Sequence, residues 1–322
     1  MMSTATARGP SEIVLPEVKM NIHLPTKPVP AVVVRNELCT FKKAAGFVRH
    51  VEIDIGGTQM IGECRPGQAL GVIPEGTDKN GKPHKVRLYS ISSPTRGEDG
   101  KGKVIAVTVK RTIDEHWENN KLFLGVASNY LCDRQPGDRI MVSGPNGKRF
   151  LLPKDHTGYD YMFFATGTGI APFRGMLIDL LESRSQSKIV LVMGAPYTTD
   201  LLYHDYFLRM AGENKNFTYI TAISREKQND GHDRLYVQDR VRTERDRLLP
   251  ILAGPRTLIY ICGLAGMELG IFQELALNLN GEALEQYLEC DREALSDIRR
   301  WNRQMIHKQV RPTRRILMEV YA

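Results

Sequence analysis

The sequence predicts two packed units: an N-terminal antiparallel β-barrel, then an α/β half built on a doubly wound parallel sheet. Three observations lead there. A chain of 322 residues has room for two cores of ordinary size. Up to about residue 153, short stretches alternate apolar and polar residues between glycine, proline and polar turns. From about residue 159 the apolar runs become continuous and segments with helical character separate them, as in a parallel sheet covered on both faces.

The elements follow in order. Residues 1–27 read as a loose tail, or else a weak transit-like leader, because "MMSTATARGPSEIVLPEVK" lacks the apolar centre of a secretory signal. "AVVVRNELCT", "RHVEIDIGG", "KVIAVTVKR" and "RIMVSG" alternate with period two and read as barrel strands of a domain spanning 28–153. "GECRPGQALGVIP" and "RQPGDRIMVSGP" each enter a strand through a proline–glycine turn. In "VRLYSISSP", alternation puts Arg87, Tyr89 and Ile91 on one side and Leu88 and Ser90 on the other. An arginine there can pair with a diphosphate and a tyrosine can lie on a planar ring, or the pair can simply decorate a barrel strand.

The second unit spans 159–322. "YDYMFFA", "KIVLVMG", "FTYITAI" and "TLIYICG" read as buried strands, and "APFRGMLIDLLES" and "GLAGMELGIFQELALNL" as helices. Ligands on such sheets bind beyond the carboxyl ends of the strands. Glycines stand there: Gly167 and Gly169, Gly194, and Gly263. In "FFATGTGIAPFRG" they either allow a ligand close to the backbone, with helical N–H groups beyond for a phosphate, or form a plain tight turn. It is not a Walker loop, since the lysine and hydroxyl of that motif are missing. "RRILMEVYA" reads as a last strand docked into the sheet, with Tyr321 beside the end of the chain.

Composition narrows the function. No apolar run is long enough to cross a bilayer. The five cysteines, Cys39, Cys64, Cys132, Cys262 and Cys290, are scattered and show no metal-ligand spacing, so no metal site is expected and a reducing cytoplasm is the natural setting. A net charge of +7 with acidic residues interspersed suits an acidic partner and does not suit nucleic acid.

Taken together, "HKVRLYSISSP", "GVASNYLCD", "ATGTGIAPFRG", "ISREKQNDGHDRLYVQ", "YICGLAGMELGI" and the terminal "EVY" resemble the plant-type ferredoxin–NADP(+) reductases, in the same order. "GVIPEGTDKNGKPHK" also resembles that family, and the likeness runs from about residue 28 onward. The resemblance implies FAD in the barrel and NADP(H) on the α/β half. Arg87 would hold the FAD diphosphate, Tyr89 would stack on the flavin, Ser90 would sit near its reactive nitrogen, and Ser128 with nearby N–H groups would hold a phosphate. Thr168 and Gly169 would face NADP(H), while Ser224, Arg225, Arg234 and Tyr236 would clamp its 2′-phosphate, where an NAD enzyme more often places a carboxylate. Cys262 would lie beside the nicotinamide, Glu319 would hydrogen-bond near Ser90, and Tyr321 would cover the flavin face opposite Tyr89 until the nicotinamide displaces it. The implied protein is a monomer that exchanges hydride with NADP(H) and single electrons with ferredoxin or flavodoxin. The alternative is an NADPH-dependent reductase feeding an oxygenase through a separate carrier.

The chain departs from the family pattern in places. Ala127 replaces a cysteine, Ala322 follows the usual terminal tyrosine, and Asp114 replaces the tyrosine that stacks on the FAD adenine, so that contact is either missing or made by Trp117. "ECDREALSDIRRWNRQMIHKQVRPTRR" is longer than its plant counterpart and is expected to extend a helix and add a basic surface near the flavin. Carrier docking is expected at Lys42, Lys43, Lys82, Lys85, Arg299, Arg300 and Arg303.

Overall fold

The computed structural model describes residues 12–116, 118 and 120–321. The first half forms β1 (Val29–Leu38), β2 (Val48–Asp54), β3 (Ala69–Ile73), β4 (Arg87–Ser90) and β5 (Val104–Lys110). A hairpin of β6 (Ile113–His116) and β7 (Lys121–Leu124), helix α1 (Val126–Cys132) and β8 (Arg139–Asn146) follow. Six of these strands make one antiparallel sheet in the order β4-β3-β8-β1-β2-β5. Just past β4, Ile91 bridges to Val107 of β5, and the Ser92 N–H donates to the Ala106 carbonyl at 2.8 Å. That contact joins the two edges and closes the barrel. Val33, Val51, Ile53, Leu70, Val107 and Val142 fill its interior, the inward members of alternating strands.

The second half runs β9 (Asp160–Thr166), α2 (Ile170–Glu182), β10 (Ile189–Ala195), α3 (His204–Glu213), β11 (Phe217–Ile223), α4 (Asp239–Thr243), α5 (Arg245–Leu252), β12 (Thr257–Leu264) and α6 (Met267–Asn278). It ends with α7 (Glu282–Glu285), β13 (Leu288–Cys290), α8 (Arg292–Ser296), β14 (Val310–Pro312) and β15 (Ile316–Tyr321). The main sheet is parallel, in the order β11-β10-β9-β12-β15. Period two splits its residues between two cores. Met162, Phe164, Val192 and Ile261 face α5 and α6; Tyr161, Phe163, Leu191 and Tyr260 face α2 and α3. The chain moves outward from β9 to β10 to β11, then returns to set β12 on the other side of β9. The crevice between the carboxyl ends of β9 and β12 is therefore the switch point where such sheets take ligands.

Buried polar joints connect the halves. Arg174 of α2 grips Glu98 at 2.5 and 3.1 Å and donates to the Ser92 carbonyl at 2.9 Å. Asp179 accepts from the Thr95 N–H and hydroxyl, the latter at 2.7 Å. Tyr260 donates to the Leu151 carbonyl at 2.8 Å. His50, Glu52 and Glu98 lie within metal-ligand reach of one another, but Arg35 and Arg174 already hold the two carboxylates.

Two expectations meet a different structure. The described part of the tail is fastened: Lys154 N–H donates to the Val14 carbonyl at 2.9 Å, Gln68 reaches the Lys19 carbonyl at 3.1 Å, and His23 bridges to Gly144. The insertion does not extend a helix. Leu279 is already extended and Gly281 sits at φ 51°, so α6 ends before it. Residues 288–312 instead fold as a small module closed by the β13–β14 ladder, around a buried Trp301 whose indole donates to the Ala294 carbonyl at 2.8 Å.

Candidate active site

At the switch point the two strand ends interlock through glycine. A Cβ at Gly169 would stand 2.1 Å from the Cys262 carbonyl oxygen, and a Cβ at Gly263, whose φ is 145°, would meet the Thr166 hydroxyl at 2.1 Å. The Thr166 hydroxyl also accepts from the Leu264 N–H at 2.9 Å. The missing Cβ of Gly169 thus serves backbone-to-backbone packing. Gly167, at φ 53°, is the glycine that opens onto free space. Gly194 lies inside β10, one residue short of its end.

Parallel pairing of β12 with β15 sets Cys262 opposite Glu319 and Leu264 opposite Tyr321. Leu317 and Cys262 belong to the core under α2, so alternation carries Glu319 and Tyr321 to that same face. Tyr321 and Thr168 share a hydrogen bond of 2.8 Å between their hydroxyls, and the Ala265 N–H holds the Tyr321 carbonyl at 2.8 Å. Thr168 and the last aromatic are therefore brought together. Burial pushes the Cys262 thiol well above its usual range, with Glu319 adding to the effect, so the sulfur stays neutral. Partial loss of hydration also raises the Glu319 carboxyl and the Tyr321 phenol, although both residues remain exposed. Among the described residues no hydrogen bond joins Glu319 to Ser90 itself. The next turn has a support that the sequence reading missed. Buried Glu268 accepts from the Gly266 N–H at 2.6 Å and from Arg303 of the insertion at 3.2 Å.

On the barrel, Arg87 and Tyr89 share one side of β4, as expected. Arg87 is exposed and, among the described residues, donates only to the Val86 carbonyl, at 3.2 Å, which leaves most of its fork without a described partner. Tyr89 is half-buried, and burial keeps its phenol neutral. Beyond Ser90 the chain runs directly onto α2, where a Cβ on Gly175 would meet the Ser93 carbonyl at 2.2 Å. β4 and the start of α2 are thus locked into neighbouring positions. The Ser128 hydroxyl departs from expectation. It accepts from the Thr112 N–H and donates to the Gly125 carbonyl, both at 3.1 Å, so its donor is engaged in shaping the turn. What remains for a phosphate there is the set of N–H groups of Val126, Ala127 and Ser128, which open α1. The hairpin before it exposes Ile113, Leu122 and Leu124, each at least half open to solvent. A free guanidinium, a neutral phenol, helix-start N–H groups and an apolar ribbon are a donor set that fits a dinucleotide with a flat ring system. Asp114 is exposed on that hairpin, and Trp117 lies outside the described residues.

The four clamp residues converge although they come from two stretches. The Leu235 N–H donates to the Ile223 carbonyl at 2.9 Å, which brings Ser224 and Arg225 beside Arg234 and Tyr236. Both arginines and Tyr236 are exposed, and the Arg225 guanidinium lies 5.8 Å over the Tyr197 ring. Of the loop's three carboxylates, Asp230 is paired with Arg240 and His232 and Glu226 with Thr198, while Asp233 stands exposed beside Arg234; among the described residues no ion pair engages the two clamp arginines.

Comparison with known proteins agrees with this fold. Residues 163–272 match the family model of the oxidoreductase NAD-binding domain. A ferredoxin–NADP reductase of Spirulina sp is 38% identical over 263 residues, covering 79% of this chain and 88% of the relative. The chloroplastic leaf isozyme 1 of Arabidopsis thaliana is 36% identical over 314 residues, covering 94% and 85%. Among solved structures, the ferredoxin–NADP+ reductase of Plasmodium falciparum superposes with a TM-score of 0.67 at 22% identity, covering 94% of this chain and 99% of that one, a likeness of fold.

Proposed function

We propose a mechanism from one premise: the chain belongs to the ferredoxin–NADP reductase family. Its activity is hydride exchange between NADP(H) and FAD, coupled to one-electron transfer with ferredoxin. Bound FAD supplies the conversion between a two-electron hydride and single electrons. The chain's own residues bind, orient and shield. Arg87 would pair with the FAD diphosphate, the N–H groups opening α1 would hold a phosphate, and Tyr89 would offer a flat face. Ser90 would place a hydroxyl at the reacting edge. Residues 28–153 would carry the flavin and 159–322 the nicotinamide nucleotide.

The observation that carries this reading is the convergence of Thr168, Cys262, Glu319 and Tyr321 on the carboxyl ends of β9, β12 and β15. Tyr321, tethered to Thr168, covers the place a nicotinamide must enter, so productive binding has to break that hydrogen bond. Cys262 fills the floor with a neutral, polarisable group and neither ionises nor attacks. Glu319, whose carboxyl pKa is raised by loss of hydration, stands at the crevice as a group through which a proton could pass. Gly169 holds the floor closed, and Ser224, Arg225, Arg234 and Tyr236 take the 2′-phosphate.

Ferredoxin is the partner in the relatives' names and an oxygenase is not, which favours the main reading. We extend the proposal to flavodoxin, whose role would be the same. Lys42, Lys43, Lys82, Lys85, Arg299, Arg300 and Arg303 are all exposed, but Arg300 pairs with Asp297 and Arg303 with Glu268, so the lysines and Arg299 are the readier contacts. A monomer in a reducing compartment such as the cytoplasm fits five free cysteines and the absence, among the described residues, of any helix able to cross a membrane.

The test is a purified sample. It should show a flavin spectrum, and NADPH should exceed NADH in dye reduction by about tenfold or more, since charge-assisted hydrogen bonds contribute about 1.5–3 kcal/mol each. Added salt should slow ferredoxin reduction far more than dye reduction. A colourless protein that takes up no FAD on reconstitution would remove the proposal.

A further inference from the structure

We propose that Arg240 and Gln228 are positioning residues for cofactor choice. They hold the loop of residues 224–236 in the one shape that brings Ser224, Arg225, Arg234 and Tyr236 onto a single phosphate. The inference rests on the reading of those four residues as a 2′-phosphate clamp and names what builds it.

β11 is an edge strand, so one row of its backbone groups has no neighbouring strand to pair with. Buried Gln228 takes the neighbour's place. Its amide oxygen accepts from the Ile223 N–H at 2.9 Å, while its amide nitrogen donates to the Ile223 carbonyl at 2.7 Å and the Glu226 carbonyl at 3.2 Å. Behind it stands Arg240 in the first turn of α4, only 2% exposed. An arginine is almost never buried so fully unless every donor has work to do. Here Nε donates to the Thr221 carbonyl at 2.8 Å, one terminal nitrogen to Asp230 at 2.5 Å, and the other to the Gln228 amide oxygen at 3.3 Å. Glu244 stands 3.7 Å away.

One guanidinium therefore ties strand end, loop middle and loop tip together. Glu226 adds a tie to the neighbouring loop through the Thr198 N–H and hydroxyl, at 2.8 and 2.9 Å. The clamp residues lie just outside these pins, directly after Ile223 and on either side of Leu235. They make few contacts of their own and depend on the pins for their placement. The charge of Arg240 has a second effect. Asp230 and Glu244 would both repel a dianion bound nearby, and Arg240 lies between them. A nucleotide without the 2′-phosphate feels neither effect.

The test uses the flavin-loaded enzyme and two readouts. Calorimetric titration with adenosine 2′-phosphate measures the clamp directly, and dye reduction compares NADPH with NADH. Arg240→Met and Gln228→Leu should each weaken adenosine 2′-phosphate and raise the KM for NADPH by about tenfold, as expected for charged hydrogen bonds lost or misaligned. kcat/KM for NADH should change less than about twofold. Arg240→Lys keeps the charge but loses the fork, so about threefold is expected; it is also the variant to read if Arg240→Met does not fold. Equal losses for NADPH and NADH, or no loss for either, would overturn the proposal. Arg225→Ala separates it from the reading beneath. If that change weakens adenosine 2′-phosphate while the Arg240 and Gln228 variants do not, the supports are wrong and the clamp stands. If Arg225→Ala leaves binding intact, the clamp itself is wrong and its supports fall with it.

Discussion

Glu319 shows how one residue can be placed by pattern and tuned by surroundings. Alternation along β15 sends it to the face shared with Cys262, and the nearby protein strips enough water from its carboxyl to raise the pKa. The consequence for stability has a definite sign. A carboxyl whose pKa is higher folded than unfolded favours the folded state fully below the unfolded pKa, and that contribution disappears as pH rises through the folded value. Replacing Glu319 by Gln removes the ionisation. The variant should match the parent at about pH 4 and melt higher than the parent at pH 8, by calorimetry on both proteins. A parent that gains stability over the variant as pH rises would contradict the raised carboxyl. At this scale the sequence was uneven. It placed Arg87 and Tyr89 on one side of β4 correctly, because alternation needs no tertiary information. It could not show that the Ser128 hydroxyl is engaged within its own turn, since Thr112 reaches that turn only through the fold.

At the scale of elements, the strands of the parallel sheet were legible as continuous apolar runs, and every one ends within two residues of where the pattern put it. Their crossing was not. Gly169 reads in sequence as a place for a ligand, whereas in space it is where β9 and its turn pass against the backbone of β12. Gly169→Ala should therefore act as an overpacked core substitution, costing about 1–3 kcal/mol in denaturant unfolding. Gly167→Ala has open space but a positive φ, and should cost less. Equal, small effects would mean the two turns do not interlock as described. The insertion was misread for a related reason. Its charges resemble a solvated helix face, but Gly281 ends the helical run and the buried Trp301 packs the segment onto the core shared with α5 and α6. Arg240 left no signal, because nothing in a sequence marks the rare arginine that goes inside.

For the whole molecule the question is what keeps two sheets in one geometry when the chemistry lies between them. The answer is concentrated at Arg174. It is nearly buried, holds the equally sheltered Glu98 with two hydrogen bonds, and ties the Ser92 carbonyl, two residues from Ser90, to the helix that follows Thr168 and Gly169. A buried pair contributes little net stability when intact, yet removing one member strands the other charge, at about 3–5 kcal/mol. Arg174→Met should lower the unfolding free energy by that amount and, in the folded fraction, slow hydride transfer more than it weakens NADPH binding, because Ser90 and Thr168 lose their common reference. The double change Arg174→Met with Glu98→Met should recover much of the stability, since no charge is left stranded, but not the rate, since the tie to Ser92 stays lost. Stopped-flow reduction by NADPH separates these outcomes. A double variant that regains stability and rate together would show that the joint only holds the sheets together and does not position them.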